Sequence, residues 1–121
     1  MANELTLAVG WNFSKNSIAV PMSVTKQVTI SGDLCNKLSQ SIGTGGKEVL
    51  PLGEITTPRY FVACNRDSTN TVDIYPNGTD PSAVTLGPGQ PCLIPLSSAW
   101  TAPQAQATGG ACLLEYCFSP T

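Results

Sequence analysis

The chain has 121 residues, 41% of them hydrophobic and 12% charged, with a formal net charge of −2 and no histidine. This length sets one domain, residues 1–121, as the expectation, and the apolar content excludes a disordered chain. The charged share is about half the usual ~25%, and the six basic residues (Lys15, Lys26, Lys37, Lys47, Arg59 and Arg66) are scattered, without the basic stripe that nucleic-acid binding needs.

The first segment, "MANELTLAVGWNF", lacks a basic region followed by an apolar core, so it does not read as a signal peptide. No apolar run reaches membrane-spanning length, and synthesis and folding in the cytosol is the default. "ELTLAV" at 4–9 is the first predicted strand, and residues 1–16 form either an N-terminal arm or that first strand. From Ile18 to Ile30 the even positions are Ile18, Val20, Met22, Val24, Lys26, Val28 and Ile30. This period of two predicts one long strand, or two consecutive ones, with one buried face. Pro21 cannot donate a ladder hydrogen bond and belongs at an edge, a bulge or a strand end.

"SGDLCNKLSQSIGTGG" at 31–46 is the least regular stretch, with room for one helical turn or for a strand around Gln40–Ile42. "KEVLPLGEI" at 47–55 alternates around Pro51. "RYFVACN" at 59–65 and "TVDIY" at 71–75 flank a polar turn in which Asn65, Asp67, Ser68 and Asn70 can bond their own backbone, so the two runs are expected to pair as a hairpin. Arg66 and Asp67 then lie at its tip as solvated charges. "AVTL" at 83–86 and "PCLIPL" at 91–96 surround another turn, and "ACLLEYCF" at 111–118 closes the series with Cys112, Leu114, Tyr116 and Phe118 on one face. Ten prolines and eleven glycines punctuate these runs, and no segment has the period of a helix. Short strands between turn signals predict an all-β sandwich or barrel.

Catalysis finds little support. Serine or cysteine nucleophiles are most often activated by histidine, which is absent. The eight acids fit no recognised paired spacing. "SIGTGGKE" at 41–48 fails the phosphate-loop pattern, with Ser41 at the first glycine position and Glu48 where Ser or Thr is required. The five cysteines, Cys35, Cys64, Cys92, Cys112 and Cys117, are odd in number and contain no Cys-x-x-Cys pair. They read as buried free thiols without a metal, with Cys35 the candidate for a disulfide between subunits. No cofactor is implied, and the chain is read as a non-enzyme. The neutral polar exterior has two readings, the ordinary surface of a β domain or a surface that meets other subunits, since charge is depleted at interface cores. The side chains predicted to lie in such an interface are Leu5, Leu7, Trp11 and Phe13 of the N-terminal segment, and Trp100, an exposed anchor in the loop "SSAWTAPQ".

The order of elements resembles a known family. The run "QSIGTGGKEVLPLGEITTPRYFVACNRDSTNTVDIYPNG" is similar to small virion proteins of tailed bacteriophages, which share a "MANE"-type start, "QSIGT", "LGEITTP", an aromatic strand and an "N-x-D-x-T-N" turn. A "L-x-PG" turn (Leu86-Gly87-Pro88-Gly89) and a final "L-x-Y" strand (Leu114-Glu115-Tyr116) complete it. The chain departs from the family in its higher cysteine content and in Arg59, where glycine is expected. The resemblance implies an antiparallel β-sandwich of jelly-roll type that decorates a capsid as a cement protein. Its expected partners are the major capsid protein and further copies of itself, a trimer foremost. Its place is then the capsid surface of the virion. Another virion part, in tail, neck or fibre, is the nearest alternative. A carbohydrate-binding jelly roll that stacks sugars on Trp100 or Tyr75 is a third reading. Residues 1–16 are expected to reach the shell or a neighbouring subunit.

Overall fold

The computed structural model describes residues 5–30 and 36–120. The chain divides into two compact units, residues 1–33 and 34–121, so the sandwich expected over 1–121 belongs to the second unit alone. Cys35, the predicted intersubunit thiol, lies outside the described residues.

The first unit is a two-stranded antiparallel ribbon of β1 (Leu5–Lys15) and β2 (Ile18–Val28). The strand predicted over 4–9 thus runs on to Lys15, and of the two readings of residues 1–16, arm or first strand, the described residues from Leu5 onward form a strand, one half of a hairpin. The turn explains this. Asn16 and Ser17 both have positive φ, 52° and 66°, as a two-residue hairpin turn demands because its twist matches that of the strands. Asparagine enters this region more readily than most side chains. Pro21 lies within β2, opposite Asn12. A ribbon of two strands consists only of edges, where a missing N–H is tolerated.

The second unit contains β3 (Asn36–Ile42), β4 (Glu48–Val49), β5 (Tyr60–Asn65), β6 (Thr71–Tyr75), β7 (Val84–Leu86), β8 (Pro91–Pro95), β9 (Gln104–Thr108) and β10 (Cys112–Ser119). They form two four-stranded sheets, ordered β3-β10-β5-β8 and β4-β9-β6-β7. Every pairing is antiparallel. The pairs are nested: β3 with β10, β4 with β9, β5 with β8 and β6 with β7. The chain from 36 to 119 is thus one long doubled-back ribbon, bent so that successive pairs alternate between the sheets.

One core joins the sheets. Ile42, Phe61, Leu114, Tyr116 and Phe118 come from one sheet, and Val72, Ile74, Leu86, Ala105 and Ala107 from the other. On β10 the face predicted from alternation, Cys112, Leu114, Tyr116 and Phe118, is buried throughout. Each large side chain so buried contributes ~1.5–3 kcal/mol relative to exposure. The all-β, antiparallel sandwich expected from the short alternating runs is the architecture found.

Three expectations need correction. The strand predicted over 47–55 shrinks to Glu48–Val49. After Leu50 N–H donates to the Pro103 carbonyl at 2.9 Å, Pro51 has no donor to continue a ladder, and Gly53 turns the chain at φ 61°. The runs at 59–65 and 71–75 do not pair as a hairpin, because β5 and β6 belong to different sheets. β5 is flanked by β10 and β8, and β6 by β9 and β7. Trp100 is no exposed anchor: it is 7% exposed and stacks on Phe61 with ring centroids 5.9 Å apart. Its flat indole closes the aromatic cluster of Phe61, Tyr116 and Phe118.

Candidate interaction surface

The register of the ribbon decides which of its side chains share a face. Directly opposite residues of an antiparallel pair point to the same side. The pairs Leu5–Val28, Leu7–Lys26, Val9–Val24, Trp11–Met22, Phe13–Val20 and Lys15–Ile18 therefore line one face. The other carries Thr6, Ala8, Gly10, Asn12 and Ser14 opposite Gln27, Thr25, Ser23, Pro21 and Ala19. Sequence alternation has done its work, but the apolar face of β2 is not buried as expected. Ile18, Val20, Met22 and Val24 are exposed, as are Val9 and Phe13, and Trp11 is 63% exposed.

The structure thus brings together four of the five predicted interface residues, Leu5, Leu7, Trp11 and Phe13, and separates the fifth, Trp100, into the sandwich core. Sequence reasoning missed the β2 half of this surface because period-two alternation reports that one face is apolar, not what covers it. The described residues carry ten large, exposed hydrophobic side chains; seven are on this ribbon, the others being Val49, Val62 and Leu113. Lys15 and Lys26 stand on the same face, Lys15 at the turn end and Lys26 opposite Leu7, one same-face pair in from Leu5–Val28.

A second feature lies on the outer face of the sheet β3-β10-β5-β8. A groove of about 420 Å³ is lined by Val62, Cys64, Pro91 and Cys117, with Lys37, Arg66 and Glu115 among its polar borders. Arg66 Nη2 and Glu115 Oε1 form an ion pair at 3.1 Å across it. This bond raises the guanidinium pKa of Arg66 above its ordinary value and lowers that of the Glu115 carboxyl. Glu115, read from sequence as exposed, is half-exposed and paired, and Arg66 is not a free tip charge. Cys64 and Cys117 are half-buried; Cys112 is fully buried, and burial pushes its thiol pKa up, as it does for Cys92. Among the described residues, no group of three His, Cys, Asp or Glu side chains is placed to hold a metal ion.

The polar turn after β5 is a crossover between the sheets. Asp67 Oδ2 accepts the backbone N–H groups of Thr69 and Asn70 at 2.9 and 2.6 Å, and these bonds hold its carboxyl pKa below the ordinary value. The predicted side-chain turns are present, though they serve a different connection. On the opposite side, Lys47 Nζ lies 4.2 Å from the centroid of the Tyr75 ring. Of the two residues suggested as alternatives for sugar stacking, Trp100 is thus inside the core, and Tyr75 has one ring face covered by an ammonium.

No family model, curated protein or solved structure matches the chain.

Proposed function

We propose that this protein is an assembly component of a tailed-bacteriophage virion, a decoration or cement protein that binds the outside of the capsid shell and stabilises it through protein–protein contacts. One observation carries the reading: the ribbon has an exposed apolar face, while the sandwich already has a core of its own. Contiguous exposed apolar surface of this kind marks an interaction site, and an isolated two-stranded hairpin is only marginally stable without a partner. The resemblance of its ordered motifs to those of small phage virion proteins supports the shell as the setting. The nested pairing of β3 to β10 supports the jelly-roll reading of the sandwich, since that fold is a long doubled ribbon rolled into two sheets.

In this role the protein meets the major capsid protein and further copies of itself, with a trimer the favoured oligomer, on the surface of a particle assembled in the host cytoplasm. It acts by mass action, binding the assembled lattice more tightly than its free parts. The test compares particles with and without the protein. Cement activity gives a higher temperature of genome release and greater resistance to low salt, with hundreds of copies per particle. Equal resistance removes the cement role, and a handful of copies moves the protein to the tail or neck.

A further inference from the structure

We infer that the apolar face of the β1–β2 ribbon is a two-fold contact that pairs with the same face of a second copy of this chain. The starting point is a repeat. "LAVGWNFSK" at 7–15 and "IAVPMSVTK" at 18–26 correspond at an offset of eleven: Leu7 with Ile18, Val9 with Val20, Trp11 with Met22, Phe13 with Val24 and Lys15 with Lys26. The register gives this offset a geometric meaning. An antiparallel ladder has a local two-fold axis through the midpoint of each opposed pair. The axis between Trp11 and Met22 exchanges the strands and carries each of residues 7–15 of β1 onto the one eleven places later in β2, leaving the end pair Leu5–Val28 outside the symmetry. The repeat is therefore a symmetry of the folded face. Two large side chains sit at its centre, branched and aromatic residues flank them, and one lysine closes each end.

Such a face suits a symmetric partner. An isologous interface requires one patch to complement itself, and a patch that is already its own image under rotation presents the same contour in either orientation. The seven exposed apolar residues offer of the order of 700 Å², close to the ~800 Å² that each partner gives to a standard interface. The small, polar opposite face has nothing comparable to bury. Packing two ribbons face to face makes a two-layer, four-stranded unit, the form in which a one-sided sheet becomes stable. The lysines stay at the rim, where their stems cover apolar surface and their ammonium groups remain in water.

The inference deepens the self-association part of the proposed function, assigning this face to a sister copy and leaving shell contact to the sandwich. It is tested on the free, full-length protein. Sedimentation should show the wild-type mass halved by Met22→Lys, whether the parent is a dimer or a pair of trimers, while Met22→Leu keeps it. Trp11 fluorescence should move to longer wavelength and become accessible to acrylamide in Met22→Lys, against the constant background of buried Trp100. A cooperative thermal transition in that variant shows that the sandwich remains folded; if it is lost, Trp11→Ser replaces it with the same expected outcome. An unchanged mass in both variants, or a Trp11 as open to quencher in the wild type as in Met22→Lys, overturns the inference. Protection of Trp11 only on particles would give the face to the shell and overturn it as well. Particle stability without pairing sinks this inference alone, and pairing without particle stability sinks the cement reading alone.

Discussion

Asn65 Nδ2 donates to the carbonyl of Leu86 at 3.1 Å and so ties the end of β5, in one sheet, to the end of β7, in the other. The same amide donates to the carbonyls of Asn70 and Gly87 at 2.9 and 3.1 Å, and Asn65 Oδ1 accepts the N–H of Asp67 at 3.0 Å. The side chain is fully buried. Asn65→Ala leaves these buried groups unmet and should cost about 1–3 kcal/mol. Asn65→Asp aims a carboxylate at three carbonyl oxygens and should cost more at neutral pH, at least ~3 kcal/mol. Urea denaturation of both variants at pH 7 and pH 4 checks this, with the gap between them narrowing in acid as the introduced carboxyl takes up a proton.

Tyr116 sets a limit on the alkaline side. Its hydroxyl donates to Gln40 Oε1 at 2.9 Å, and burial pushes the phenol up to about 12 from an ordinary value of 10.0. The folded chain holds this proton more tightly than the unfolded chain. The contribution is therefore whole below pH 10 and is lost as pH rises from there to about 12. It amounts to about 2–3 kcal/mol. Denaturation midpoints measured across this window should fall in the wild type and fall less in Tyr116→Phe.

The ribbon turn can be improved. Serine pays a steric cost at φ 66°, whereas glycine does not. Ser17→Gly should stabilise the hairpin by about 1 kcal/mol, seen as slower hydrogen exchange of the β1 and β2 amides, with the exchange of β5 and β10 unchanged.

Two adjacent glycines should respond differently. A Cβ at Gly110 would come within 2.7 Å of the Asn70 side chain, and Gly110→Ala should be relieved by adding Asn70→Ala. Gly109 meets the same side chain at 2.8 Å but also has φ +94°. Gly109→Ala should remain destabilised by ~1–2 kcal/mol even beside Asn70→Ala, since the backbone strain persists. Thermal melts of the four variants separate the two causes.

The thiols give a further check. In the native protein Cys112 should resist a water-soluble disulfide reagent, being buried with its thiol pKa raised, while half-exposed Cys64 and Cys117 react. Thiol counts before and after denaturation measure the difference.

What could be read from the sequence follows from the range of each interaction. Alternation on β10 and β2 reports local geometry, and both strands lie where their period places them. β6 pairs with β7 and with β9, the latter about thirty residues onward, and no local pattern encodes that choice over β5. Trp100 shows the same limit: a loop without periodicity delivers its indole to Phe61 only once β5 is in place. Half of the candidate surface was legible in Leu5, Leu7, Trp11 and Phe13, whereas its β2 half required the turn at Asn16 and Ser17 and the register it sets.

Nesting also sets a timetable for synthesis. The outermost pair joins β3 to β10, whose near ends lie roughly 70 residues apart along the chain. A ribosome adding about 5–20 residues per second leaves β3 without β10, its sheet partner among the described residues, for several seconds. β6 and β7 meet within moments of leaving the exit tunnel. The sheet that holds β3 therefore cannot close until β10 has been made, and a nascent chain stalled before β10 would hold β3 and β5 without the strand that joins them.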